Sequence, residues 1–410
     1  MSQPASADQP AGSPARARAV FAYGEYRAVW LAQVLSLFGD RLARIALTVL
    51  VYDRTGSPLL TALVYAATFL PFLVGLPLSG LADRVPRRQV MVACDVIRAG
   101  LVTLMVIPGL PVPVLIVLIF GVGLGTQPFS AARAGLMRDI FEDRTLYRRA
   151  QGVANASFET TQIVGFAVGG AAVALLGTRG ALIVDVVTFV ASALLLTACV
   201  KTRRQTSDET RDWRSDLRAG VRLVFGDPWL RSLVGLAWLA TFYIAPEAIA
   251  VPYARSQGGG PLAVGMLLAA NPIGSVIGNV LVTSRRVGEQ TAQRWMVPMA
   301  VACGLPLIAC AFQPGLVVCW VLWLISGVFT GYNVPAQAAF TFALPVDRVA
   351  QAMGLVQAGL QVGQGVGLLL AGAAADWLSP LAVVALFGGV GIAAAVGIAT
   401  QIRGASASSL

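Results

Sequence analysis

The sequence has no histidine and only one lysine, Lys201, among its 410 residues. Without imidazole it cannot build a Ser-His-Asp triad, a histidine metal site or a histidine proton relay, so any proton carrier must be a carboxylate. Charge is scarce at 12%, whereas hydrophobic residues make up 57% and the mean hydropathy is +0.74. That composition does not suit a water-facing surface. Long polar stretches are lacking as well: the longest, about residues 201–230, is too short for an attached ATPase or other soluble module. Cys94, Cys199, Cys303, Cys310 and Cys319 sit in apolar runs without CxxC spacing, so they read as small core residues and give no disulfide or zinc framework.

What the sequence does have is apolar length. The 43 glycines and 22 prolines fall within apolar runs, where membrane helices tolerate them and soluble helices do not. A spanning helix needs about 20 mostly apolar residues. Twelve candidates result, at 29–51, 59–81, 90–107, 113–132, 151–176, 180–200, 230–253, 261–283, 295–312, 316–339, 351–375 and 381–401. Alternate loops then lie on opposite sides, and the basic residues divide sharply between them. Twenty-four of the thirty fall in one set of loops, Arg54, Arg179 and Arg255 fall in the other, and Arg41, Arg44 and Arg98 lie inside spans. The positive-inside rule puts the rich set and both termini in the cytoplasm. It also accounts for the net charge of +10 without a nucleic-acid partner.

The expected organisation is an all-α membrane protein of twelve transmembrane helices in two six-helix bundles, residues 29–200 and 230–402. A disordered cytoplasmic tail is expected over 1–28, which shows no signal-peptide core. A cytoplasmic linker follows at 201–229 and a short cytoplasmic tail at 403–410. In the linker, Trp213, Leu217, Val221, Val224 and Phe225 share one helical face and Arg214, Arg218 and Arg222 another, which predicts an amphipathic helix on the cytoplasmic surface. A weak internal repeat supports the division into halves: Arg87-Arg88 matches Arg285-Arg286, and Gly165 matches Gly365.

The stretch GLADRVPRR at 80–88 resembles the cytoplasmic signature loop of the major facilitator superfamily, with Pro86 where that family usually has glycine. Twelve spans and a central basic loop agree with the resemblance, which implies the major facilitator fold. Gly80 would allow close helix approach, Asp83 would offer an anion to a helix N-terminus, and Arg84, Arg87 and Arg88 would anchor the turn. Asp95 and Arg98 are three apart in the third span and able to pair near its cytoplasmic end. The cluster either fixes topology and stability or acts as a gate that breaks and reforms. Within the family, FGDRLARIAL at 38–47 and DLRAGVRLVFGDPWLRSL at 216–233 look like the macrolide-efflux and siderophore-exporter branch of drug:proton antiporters. VGFAVGG at 164–170 keeps the glycines of the antiporter motif in the fifth span, with Phe166 in place of its proline.

Ionisable groups at bilayer depth cost several kcal/mol and mark candidate functional sites. Asp40 lies mid-span with Arg44 one turn on, so it either carries protons or closes a local salt bridge. Glu159 sits in a polar run with no base in its own helix; it either exchanges a proton or forms a permanent pair with Arg41. Glu247, after Pro246 and near the outer end of its span, either takes part in proton coupling or simply reaches outer water; Asp185 is expected to be shallow, and the family resemblance implies that its helix faces the bundle periphery. Gln357, Gln361 and Gln364 share one helix face, which either lines a water-filled cavity or bonds a neighbouring helix. Gln33, Gln127, Asn333 and Gln337 are further lining candidates, and Phe69, Phe72, Phe242, Tyr243 and Tyr332 are candidate apolar contacts.

These expectations define a secondary active transporter that exports a small hydrophobic compound in exchange for protons. It would act as a monomer in the plasma membrane, with no cofactor or metal. Uptake of a polar solute is the alternative within transport. A membrane-embedded enzyme would need clustered catalytic groups, and neither histidine nor paired carboxylates supply them.

Overall fold

The computed structural model describes residues 19–72, 74, 85–203, 213–284, 289–344 and 348–407. Among these residues the chain is helical throughout, with short 3-10 pieces and no strand. Eight stretches are long and apolar enough to cross a membrane, and the longest, Arg144–Cys199, is two spans joined at Gly177. Gly24–Thr55 and Arg87–Met105 are helices of spanning length whose charged residues keep them out of that group. Pro58–Ala66 is the described start of the second span. Together these give the twelve-span, two-bundle architecture expected from the apolar runs.

Local chemistry sets the helix ends. Pro58, Pro228, Pro261 and Pro380 each open a helix, where a missing N–H leaves no bond unmade. Ser57, Asp143 and Asp227 accept hydrogen bonds from Leu60 N, Thr145 N and Trp229 N respectively, satisfying donors that the first turn leaves free. Gly177 adopts φ 70° and turns the chain between spans five and six without a loop. The first helix has 32 residues, about 48 Å at 1.5 Å per residue, so it extends beyond the hydrocarbon layer. Within the tail expected over 1–28, Ala19–Ala22 forms a 3-10 turn and the first helix is under way from Gly24. At that basic end Tyr26 donates to Ala150 O and Trp30 Nε1 to Ser157 Oγ, over a core of Met91, Phe129, Leu136, Phe141 and Leu196. Glu25 accepts Arg203 Nη2 at 2.6 Å and Lys201 N at 2.7 Å. Burial favours the protonated carboxyl, but these bonds prevail and hold Glu25 below its ordinary range, so the tie is lost only as pH falls through that lowered value.

The fourth span bends at Gly125 between Val112–Leu124 and Thr126–Ile140. The seventh runs as Pro228–Trp238, Ala240–Tyr243 and Ala245–Ser256. The tenth passes through a 3-10 turn between Leu316–Phe329 and Asn333–Phe342. Spans eight (Pro261–Thr283), nine (within Glu289–Ala309), eleven (Val349–Ala374) and twelve (Pro380–Ala407) complete the second half. The linker helix, Trp213–Gly226, packs on the seventh and eleventh spans and buries Val224, so it belongs to the second half.

The halves meet at the arginine-poor end. A Cβ on Gly265 of span eight would strike Phe166 O and Gly170 of span five, and one on Gly372 of span eleven would strike Ala62 of span two. Backbones approach this closely only where side chains are absent. Arg255 Nη2 crosses the same rim to Asp53 Oδ2 at 2.7 Å. At the basic end, Thr126–Ile140 and Asn333–Phe342 pack chiefly within their own halves. Placing a larger residue in the glycine contact costs about 1–3 kcal/mol unless the halves separate. In a cysteine-free background, Gly265→Val is expected to speed alkylation of a cysteine introduced at Leu59 about tenfold, which corresponds to a shift of that size. An unchanged rate would show that this contact does not hold the halves together.

Candidate functional site

Between the halves lies a cavity of about 420 Å³. The first half contributes Asp40, Arg41 and Arg44 from span one, Phe69 from span two, Phe158, Glu159 and Gln162 from span five, and Asp185 from span six. Glu247 of span seven, Asn271 of span eight and Gln357, Gln361 and Gln364 of span eleven face them. The glutamine face of span eleven therefore meets a cavity. Two of the sequence-based expectations are corrected here. Glu247 lines the cavity rather than reaching outer water, because its face of span seven is turned toward Tyr65, Arg44 and Arg41 of the first half. Asp185 is fully buried against span one and also lines the cavity, because Gly39 leaves room for its carboxylate.

Neither anticipated salt bridge is closed. Among the described residues, Asp40–Arg44 and Glu159–Arg41 both lie beyond the 4.0 Å ion-pair distance. Aromatic rings hold the cations instead. The Arg41 guanidinium lies 5.7 Å from the Phe158 ring centre and 5.3 Å from that of Phe166. Arg44 lies 4.7 Å from Tyr65 and 5.5 Å from Phe69. Each such contact is worth about 0.5–2 kcal/mol when desolvated and needs no carboxylate. Carboxylates and guanidiniums thus share the cavity without direct pairing, which leaves both free to change partner.

Behind the cavity a third cation is fixed more fully. Arg98 donates to Thr126 Oγ1 at 2.9 Å and Ser36 Oγ at 3.4 Å, lies over Phe129 and Phe189, and reaches Asp95 at 4.0 Å. Asp95 accepts Ser192 Oγ at 2.5 Å. Gly125 makes the space, since a Cβ there would meet Arg98 Nε. This network joins spans one, three, four and six inside the first half. Arg87 pairs with Asp139 at 2.6 Å, and Arg88 donates to Thr202 and Thr197 O. None of these bonds reaches the second bundle. Gly80, Asp83 and Arg84 lie outside the described residues.

Asn333 and Gln337 line a second cavity of about 190 Å³, with Leu233, Phe340 and Met353, toward the basic end. It shares Gln357 and Leu360 with the first. Gln33 and Gln127 line neither of these two cavities. Of the aromatic candidates, Phe69 lines the main cavity, but Tyr243 and Tyr332 are buried and donate to Ala300 O and Leu236 O, so they serve packing. Phe158 was not singled out from the sequence, yet it lines the cavity and carries Arg41; its position one residue before Glu159 was the available signal.

Two six-helix bundles closed at one end over a polar cavity are the architecture of a membrane transporter. The chain belongs to the Major Facilitator Superfamily, whose family model matches residues 29–344 and 248–405. The multidrug efflux pump Tap of Mycolicibacterium fortuitum is 26% identical over 375 residues, covering 82% of this chain and 86% of that protein. An uncharacterized MFS-type transporter of Bacillus subtilis (strain 168), YkuC, is 26% identical over 228 residues, 52% of this chain; the match spans about half of that relative, 53%. Among solved structures, a POT family transporter in complex with a thioalcohol-conjugated peptide superposes with a TM-score of 0.72 at 11% identity, covering 93% of this chain and 96% of that one. A bacterial homologue of the human lysosomal transporter Spinster, inward-facing and unoccupied, gives 0.63 at 15% identity, covering 97% and 96%. These structural likenesses establish the fold.

Removing one member of a buried charged pair costs about 3–5 kcal/mol. Arg98→Ala is therefore expected to lower the melting temperature of the detergent-purified protein sharply. Arg87→Ala, at a partly exposed pair, should cost about 1 kcal/mol or less. Equal losses would contradict the assignment of Arg98 as the internal anchor of the first half.

Proposed function

We propose that this transporter is a proton-coupled exporter of small, largely hydrophobic compounds, working by alternating access in the plasma membrane as a monomer. The observation that carries the reading is the cavity itself, where Asp40, Glu159 and Glu247 from both halves stand among Arg41 and Arg44 without closed pairs. Protonation of such a carboxylate changes its attraction to the neighbouring guanidinium and so biases which end of the carrier is open. The arginine-rich end and both termini are cytoplasmic by the positive-inside rule. The cavity then opens inward, ready to receive a compound from the cytoplasm or the inner leaflet. The relationship to a multidrug efflux pump over most of the chain supports export, and Phe69 and Phe158 supply apolar contact beside the amides of span eleven.

Glu159 is the leading proton carrier: it lies on the cavity wall with Arg41 as the cation acting on it among the described residues. Glu247 approaches it in importance because it faces Arg41, Arg44 and the Tyr65 hydroxyl from the opposite half. One specific observation favours uptake of a polar solute instead, namely that the lining carries more charge than the sequence suggested. The direction of proton-driven movement separates the two readings.

In proteoliposomes, Glu159→Gln is expected to leave expression and substrate exchange intact while abolishing transport driven by a pH gradient. Unchanged gradient-driven transport would remove Glu159 from the mechanism, and accumulation in the direction of proton flow would replace export by uptake.

A further inference from the structure

Asp185 stands apart from the carboxylates already given a role. It belongs to the sixth span, is fully buried, and yet lines the central cavity. Its place depends on a notch in span one: a Cβ at Gly39 would fall on Asp185 Oδ1 and on Thr188 Oγ1. The neighbour of Gly39 in sequence is Asp40, so acids on spans one and six line the same cavity.

The donors around Asp185 are too few for an anion. Oδ2 has no hydrogen-bond partner. Oδ1 has only Thr188 Oγ1, at 3.4 Å, and that hydroxyl already donates to Asp185 O at 2.7 Å. One hydroxyl carries one proton, so it does not serve both acceptors. The charged groups facing Asp185 are Asp40 from span one and Arg98 from span three. Arg98 turns its Nη atoms to Thr126, Ser36 and Asp95 rather than to Asp185. Asp40 in turn faces Arg98, Arg41 and Arg44. A buried carboxylate without donors is costly in its ionised form, and two adjacent carboxylates do not both ionise readily.

We infer that Asp185 and Asp40 form a proton-holding pair that loads and unloads through the central cavity. The inference rests on the proton-coupled reading above and extends it to a span that the sequence assigns to the periphery. The pair holds one proton at a time, on one or the other carboxyl group. On unloading, the carboxyl O–H bond breaks, its electron pair stays on oxygen, and the proton passes to cavity water and leaves as hydronium. On loading, a hydronium returns one proton to the same oxygen pair. Glu159, on span five of the same half, and Glu247, from the opposite half, line the same cavity and exchange protons with the same water.

The test uses the full chain in lipid nanodiscs with carboxyl-labelled aspartate, followed by infrared difference spectroscopy through an acid-to-base titration. The expected result is a label-sensitive carbonyl band of protonated aspartic acid in the wild type, retained in Glu159→Gln and lost in Asp185→Asn. Persistence of that band in Asp185→Asn overturns the pair. In proteoliposomes with ethidium as the lipophilic probe, Asp185→Asn should lose the increment that a pH gradient adds over its own exchange at equal pH. Gly39→Ala, which fills the notch, should behave alike. An undiminished increment in Asp185→Asn also overturns the inference. If the wild type shows no gradient-driven increment while its aspartate band disappears in Asp185→Asn, the proton-holding pair stands and the coupled-export reading fails.

Discussion

The constraint on which this structure depends is the cost of keeping charge away from water. Three arginines lie inside the first bundle, and their guanidiniums rest on aromatic faces: Arg41 on Phe158 and Phe166, Arg44 on Tyr65 and Phe69, Arg98 on Phe129 and Phe189. An aromatic quadrupole stabilises a cation without neutralising it. Had each arginine instead been locked to a carboxylate, the low dielectric would have made the pair hard to separate. The aromatic solution keeps the positive charges in place and leaves the acids of the cavity uncommitted.

The two halves divide this burden unequally. The first bundle holds all three intramembrane arginines and most of the acids, and Arg98 with Asp95, Ser192, Ser36 and Thr126 ties its helices into one unit. The second bundle is packed largely by backbone proximity. Gly274 and Gly278 of span eight lie against the backbone of residues 324–328 in span ten, and Gly327 against Asn271. It presents amides and one carboxylate, Glu247, to the cavity. A charged, internally braced half thus faces a softer half that supplies hydrogen-bonding groups and apolar surface.

Much of this was legible in the sequence, for physical reasons that also mark where it stops being so. Apolar runs of spanning length follow from the thickness of a bilayer, so the twelve-span architecture could be read directly. Gln357, Gln361 and Gln364 were legible as a face because three amides interrupt an apolar helix at helical spacing. Asp185 was not. Span six is apolar nearly all round, so nothing in its sequence fixes its rotation, and only the absence of a side chain at Gly39 on another helix shows where its carboxylate goes. That Glu247 faces the cavity was not legible either, because hydropathy does not register its neighbours Tyr65, Arg41 and Arg44 on other helices. Helix ends ran past the apolar limits for a similar reason: polar residues such as Glu25 are stabilised by partners on other segments, which hydropathy does not register.

The turn at Gly177 has a mechanical meaning. It joins spans five and six through a single left-handed residue, so the two form a stiff hairpin with no slack between its arms. One arm carries Gly170, pressed against span eight where the bundles touch, and the other carries Asp185, lodged beside Gly39. These points lie seven and eight residues from the bend, about 10–12 Å along each arm. One unbroken piece of chain thus runs from the outer seam of the molecule to its buried acids, with no loop in which a displacement of span five could be absorbed.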